Sequence, residues 1–266
     1  MTRNAFSRTA AAVLALTLAF FLSACGGKKI DVSPDVASSD EALFKLGEAS
    51  IKKDMGKALL YLRQLIDSFP KSFYAQRAKL LIGDAYFNKG DEANMILAAA
   101  EYKEFISLYP YSPSAAHCQY QIAMTYYAKA LKPGRDQTKT LQALNEFKKC
   151  ITTYPLSEEA KAAQDKIKSC EQRLAEHAVT IAKHYHRVRA YKAAISRLKE
   201  LLDNYPSYNG LDQVFFYLGD SYFLWDKADE AVPFFTKLVT DYPRSEYVKK
   251  AQARLAEAEA KAKAKK

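Results

Sequence analysis

LIGDAYF, from Leu81 to Phe87, returns almost unchanged as YLGDSYF, from Tyr217 to Phe223, 136 residues later. A near-copy at that distance is either a site used twice or one tooth of a repeating scaffold, and the residues around the copies decide which. An aromatic residue followed by proline occurs five times, at Phe69-Pro70, Tyr109-Pro110, Tyr154-Pro155, Tyr205-Pro206 and Tyr242-Pro243. Proline disfavours helix in the residue before it, so each pair predicts a helix stop. Twelve residues before each proline stands an alanine: Ala58, Ala98, Ala143, Ala194 and Ala231. Eight before stands a large residue: Leu62, Tyr102, Phe147, Leu198 and Phe235. Four before stands Ile66, Ile106, Ile151, Leu202 or Val239. Offsets of four put these residues on one face of a helix that ends at the proline.

Between these second (B) helices lie first (A) helices, and the quoted stretch belongs to them. Gly83 and Tyr86 follow Pro70 by 13 and 16 residues, and Gly219 and Tyr222 follow Pro206 by the same steps. Ala123 and Tyr126 hold those places after Pro110, and Gly47 and Ser50 hold them in LGEAS. A glycine one turn before a tyrosine lets a neighbouring helix approach bare backbone, with the ring expected to close the gap. Ser72, Ser112, Ser157 and Ser245 each follow a proline by two and suit the N-cap of the next helix, with Pro113 expected as a first helical residue.

Helix pairs with this small-and-large pattern resemble tetratricopeptide repeats. The expected fold is all-α: a right-handed α-solenoid of about five such pairs plus a C-terminal capping helix over about 245–262. Proline spacings of 40, 45, 51 and 37 exceed the basic repeat, and the excess has identifiable places. One is the inter-helix loop LKPGRDQTKT, Leu131 to Thr140. The other is the fourth A helix, where fourteen extra residues make close to four turns, about 21 Å, and predict one helix over 157–189. Nine glycines and nine prolines in 266 residues suit a helical chain, and there is no strand-like alternation.

The N-terminus reads as an export signal. Arg3 and Arg8 precede an apolar run from Ala10 to Phe21, then Leu22-Ser23-Ala24-Cys25. A run of about a dozen is short of the roughly 20 residues that span a bilayer. LSAC resembles the bacterial lipobox, which implies lipidation of Cys25 after removal of residues 1–24. In the sorting rule of enteric bacteria, Gly26 at the next position resembles an outer-membrane lipoprotein. A single acyl chain holds only marginally, whereas a triacylated cysteine holds firmly. The expected organisation is a signal peptide over 1–24 and a lipidated flexible linker over 25–39. Repeats one, two and the first helix of repeat three follow over 40–133, and the rest of repeats three to five with the cap over 134–266. Loss of the signal leaves 38 basic against 30 acidic residues, a modest excess partly held in the terminal KAKAKK. Nucleic acid is not an expected partner of an exported chain with that balance.

Nothing in the sequence marks catalysis. There is no Gly-rich phosphate loop, no HExxH and no CxxC. His184 and His186, two apart on a predicted helix, point to different faces and do not suit a shared metal. No cofactor is expected. Cys118 and Cys150 flank Pro133 at similar distances and stand level in an antiparallel pair, so a bridge is one reading. The other is that these two and Cys170 are small buried residues.

A curved stack of helix pairs offers a concave face lined by A helices, which binds extended peptides or partner helices. The expected groove residues are Phe44, Glu48 and Ile51 in repeat one, and Arg77, Asp84, Phe87 and Asn88 in repeat two. His117, Tyr120, Met124 and Tyr127 continue it in repeat three. Rings beside Arg77 suit a peptide with aromatic residues and a free carboxylate; the alternative for each ring is packing between helices.

The lipobox, the loop with Asp136-Gln137-Thr138 and the long helix ending in IAKHYHRVRAYKAAISRL (Ile181 to Leu198) together resemble the YfiO family. Those are lipoproteins of the outer-membrane β-barrel assembly (Bam) machinery. The resemblance covers the mature chain and is most specific over about 136–206. It implies a non-enzymatic scaffold on the inner leaflet of the outer membrane, facing the periplasm. The implied partners are the POTRA domain of the barrel-forming subunit, C-terminal strands of unfolded barrel proteins, and the other Bam lipoproteins. Arg197 falls where the family has an arginine at the POTRA contact, and Lys199 and Asp203 are its neighbours. The alternative is a repeat lipoprotein of another envelope machine, serving pilus or secretin assembly or the Tol-Pal system.

Overall fold

A computed structural model describes residues 38–264. The expected signal segment, the lipid-bearing Cys25 and the linker up to residue 37 lie outside the described residues. Among the described residues there are eleven helices and no strand. They are α1 (Asp40–Ser50), α2 (Met55–Ser68), α3 (Phe73–Lys89), α4 (Glu92–Leu108), α5 (Ala115–Tyr127) and α6 (Thr138–Thr153). Then come α7 (Glu158–Arg187), α8 (Tyr191–Asn204), α9 (Leu211–Leu224), α10 (Ala228–Asp241) and α11 (Val248–Ala264). Paired in order they are the A and B helices of an α-solenoid, with α11 last. The chain forms two compact units, one ending at Ala78 and one beginning at Lys79, so the division falls inside α3.

Each B helix ends the same way. Phe69, Tyr109, Tyr154, Tyr205 and Tyr242 are C-caps with φ between −133° and −127° and ψ between 54° and 60°. Proline next in line forbids the αR region there. Each cap N–H still donates to the carbonyl four residues back, at 2.8 or 2.9 Å. The serines behave differently from one another. Ser157 Oγ accepts from Ala160 N at 3.0 Å and caps α7. Ser72, Ser112 and Ser245 instead accept from the amide two residues on, closing a tight turn. Pro113 lies in such a turn, and α5 opens at Ala115.

The alanines twelve before the prolines and the large residues eight before are all fully buried, as the spacing predicts. The third position is corrected by one residue. Ile66, Ile106, Ile151, Leu202 and Val239 are half-buried, while Leu65, Phe105, Cys150, Leu201 and Leu238 are within 1% of fully buried. The helix turns about 100° per residue, so eight residues past the alanine the face has drifted by roughly 80°, but seven residues past it by only about 20°.

The glycine of the quoted motif faces the large residue of its own B helix. A Cβ on Gly83 would stand 2.7 Å from the Tyr102 ring, and one on Gly219 would stand 2.7 Å from the Phe235 ring. Gly47 meets Leu62 likewise in the first unit. The ring that fills the gap is thus the B-helix ring, not Tyr86 or Tyr222. In repeat three Ala123 takes the glycine's place in a cluster with Ala143 and Phe147.

In the second unit each of α4 to α10 packs on the next, and α7 also touches α5 and α9. Helix α7 is one continuous run of 30 residues, close to the expected 157–189. Helix α9 is apolar almost all round, with Val214 to Phe216 and Leu218 to Phe223 all buried. A helix of that kind must be covered on every side. Helices α8, α10 and α11 supply the cover, with Ala251 and Ala258 of α11 fully buried against it.

Candidate functional site

The expected groove residues occupy three separate settings. In the first unit, Arg77 lies over the Phe44 ring at 4.5 Å and near Phe73 and Tyr74 at 5.7 and 5.9 Å. Phe44 is buried and tilted against Tyr74, so it is packing and platform at once. Arg77 and Glu48 are exposed. Asp40, at the start of α1, accepts a short hydrogen bond from Ser72 and so ties α1 to the turn before α3.

In the second unit, Asp84 is a junction. Its Oδ1 accepts from the Tyr102 hydroxyl at 2.7 Å and lies 3.4 Å from His117 Nε2. The hydrogen bond with Asp84 raises the His117 pKa above the ordinary histidine value, against the opposing effect of burial. Burial first, and then Asp84, push the Tyr102 phenol far up, so it remains a donor. Phe87 is half-buried and Asn88 exposed. Tyr120 and Tyr127 both flank the buried Phe147 ring, at 5.5 and 6.0 Å. Tyr127 also bonds Ser169 at 2.9 Å through its hydroxyl.

Arg197, Lys199 and Asp203 are exposed on α8. Arg197 pairs with Glu200 at 3.0 Å, one turn along the same helix, and Lys199 lies over the Tyr222 ring at 5.4 Å. An exposed pair of that kind contributes at most a few tenths of a kcal/mol, so it leaves Arg197 free to change partner.

The three cysteines among the described residues are buried free thiols. Cys118 and Cys150 are therefore not bridged; Cys150 Sγ instead points at the Ala116 carbonyl, 3.9 Å away. Burial pushes the Cys118 thiol up to about 12 and the Cys150 and Cys170 thiols up to about 11.

A second aspartate junction is absent from the sequence expectations. Asp220 is buried, 2.9 Å from His186 Nε2 and 3.0 Å from Arg254 Nε. The arginine stands off the hydrogen-bonding direction, as an ion pair rather than a bond. The contact joins α7, α9 and α11. Asp84 and Asp220 are the same position of the quoted motif, and each takes a histidine from a neighbouring A helix. His184, two residues from His186, turns instead to Arg187. The acid after the glycine in both copies was the available signal.

The family model described as YfiO, outer membrane lipoprotein, matches residues 36–224. A tetratricopeptide repeat model matches residues 213–245. The outer membrane protein assembly factor BamD of Caulobacter vibrioides is 27% identical over 235 residues, covering 87% of this chain and 75% of that protein. Its namesake in Rickettsia prowazekii is 26% identical, covering 87% and 91%. Among solved structures, the TPR2AB domain of yeast Sti1 in its pHSP90 complex covers 82% of both chains at 13% identity, with a TM-score of 0.43.

Proposed function

The chain belongs to the outer membrane lipoprotein family YfiO, and from that premise we infer that it serves the assembly of proteins into the outer membrane as a non-enzymatic scaffold. The observation that carries this is the family match across 36–224, which takes in all of repeats one to four. Relatives named as outer membrane protein assembly factors align with 87% of the chain. In this reading Cys25 carries the lipid and holds the chain on the inner leaflet, facing the periplasm. Arg197, with Lys199 and Asp203 beside it, meets the POTRA domain of the barrel-forming subunit. Phe44, Glu48, Arg77, Asp84, Phe87, Asn88, Tyr120 and Tyr127 receive the C-terminal strands of unfolded barrel proteins. The exposed, weakly held guanidinium of Arg197 supports the first contact. The rings gathered under Arg77 support the second.

The test is capture of the tagged full-length protein from native outer membranes, with partners identified by mass spectrometry and an Arg197→Glu variant alongside. The expected result is a large POTRA-barrel protein, depleted in the variant. Recovery of secretin or Tol-Pal components in its place would refute the assignment to barrel assembly.

A further inference from the structure

Helix α7 carries two cations that the fold leaves without acidic partners. Arg173 lies 5.4 Å from the centroid of the Tyr127 ring, and Lys166 lies 4.7 Å from the same centroid. Neither makes an ion pair with any described residue, whereas the acids around them are taken. Glu171 pairs with Lys148 at 3.2 Å, Asp165 lies 3.9 Å from Lys168, and Glu176 accepts a short hydrogen bond from the Tyr208 hydroxyl. Arg173 Nη1 is shut off from solvent and has no hydrogen-bond partner among the described residues. Burying a charged donor without a partner is costly, and such groups mark a role other than packing.

Arg173 also lines an open groove of about 550 Å³. One wall is the α7 row Ser169, Gln172, Arg173 and Glu176, and the other is the turn Tyr208–Gly210 with Gln213 and Pro133. The groove's own polar groups are mostly satisfied from within: Gln172 bonds Ser207 O and Asn209 N, and Gln213 bonds Tyr208 and Lys183. The unmet demand is for negative charge, at Arg173 and one to two turns away at Lys166. Lys166 to Glu176 spans about 15 Å of helix, the length of four or five extended residues. A planar guanidinium held against a ring, with a second cation nearby, matches a carboxylate.

We propose that Arg173 and Lys166, set around Tyr127, form a carboxylate-binding subsite for an extended peptide lying along α7. This rests on reading the A-helix face as a peptide-receiving surface, and it puts the carboxylate here rather than at Arg77. The carboxylate is either the end of the peptide or an acidic side chain within it.

The test uses the full-length protein in detergent and three fluorescein-labelled ten-residue peptides of alternating aromatic and polar residues. One ends in a free carboxylate, one in an amide, and one in an amide with a single internal glutamate. Fluorescence anisotropy gives each Kd. At least one carboxylate-bearing peptide is expected to bind about tenfold or more tighter than the plain amide. That preference is lost in Arg173→Gln and reduced in Lys166→Gln, and it persists in Lys168→Gln. Preference for the free acid assigns the peptide's end, and preference for the glutamate assigns a side chain. Equal binding of all three, absence of binding, or a preference that survives both substitutions overturns the proposal. Capture of the barrel partner through Arg197 is independent of these outcomes, so failure here and failure of the assembly reading are separable.

Discussion

Replacing Gly219 by alanine sets two effects against each other. In a helix interior, glycine to alanine stabilises by about 0.8–1 kcal/mol through backbone entropy alone. At Gly219, however, the new methyl would stand 2.7 Å from two carbons of the Phe235 ring and 2.9 Å from a third. Ordinary carbon contacts lie near 3.5–4.0 Å, so the ring must retreat by about 1 Å. Phe235 is fully buried and has Phe216 at 6.3 Å between centroids, so it has little room to retreat. Overpacking of that kind costs about 1–3 kcal/mol. The net expectation is destabilisation by up to about 2 kcal/mol despite the better helix former. Gly56 is the control, since a Cβ there meets nothing closer than 3.4 Å. Gly56→Ala is expected to stabilise by about 0.5 kcal/mol, in the sense of its helix propensity. Urea unfolding followed by far-UV circular dichroism measures both. Phe235→Leu supplies the second arm: combined with Gly219→Ala it should cost at least 1 kcal/mol less than the two separate losses summed. If Gly219→Ala stabilises as Gly56→Ala does, or the two losses simply add, the close approach does not explain the repeated glycine.

Because its folded pKa is raised, His117 contributes stability that is present below the ordinary histidine pKa and lost as pH rises through the raised value. Proton NMR titration of its ring should show the upward shift, and Asp84→Asn should abolish it. Asp220→Ala takes the hydrogen-bond partner from His186 and one of two acids from Arg254, which keeps Glu257 at 3.2 Å, and is expected to destabilise by about 1–2 kcal/mol and to speed hydrogen exchange in α11. In a Cys25→Ser background, the remaining thiols should react with Ellman's reagent at pH 8 only on unfolding, since burial keeps all three protonated. Fast reaction of the native protein would contradict their placement in the core.

The scaffold was legible because its signals are local. An aromatic residue before proline stops a helix within one dipeptide, and the alanine and large residue count back from it within a single B helix. What the offsets of four missed, the shift from Ile66 to Leu65 and its equivalents, follows from the difference between 4 and 3.6 residues per turn accumulated over two steps. The candidate sites were less legible because their contacts join distant residues. Asp220 reaches His186 and Arg254, each 34 residues away, and Tyr127 reaches Ser169 across 42. Arg77 and Phe44, 33 residues apart, were foreseeable as neighbours because both fall at groove positions of successive A helices. Arg173 and Lys166 on α7 look like any solvated charges until the ring between them is seen.

The five matching helix ends also govern where this chain can change length. Every B helix keeps the same count from its alanine to its proline, and every cap repeats the same backbone angles. Both expansions, the loop after α5 and the four added turns of α7, sit between a proline and the next B helix. The joint from B helix to the following A helix is a fixed hinge plate, and the opposite edge is where material can be spliced in. Gly134 lies on that edge, exposed, with no atom within 4 Å of where a side chain would begin. A graft placed there enters the margin where this chain already carries its extra length, outside the fixed count from alanine to proline.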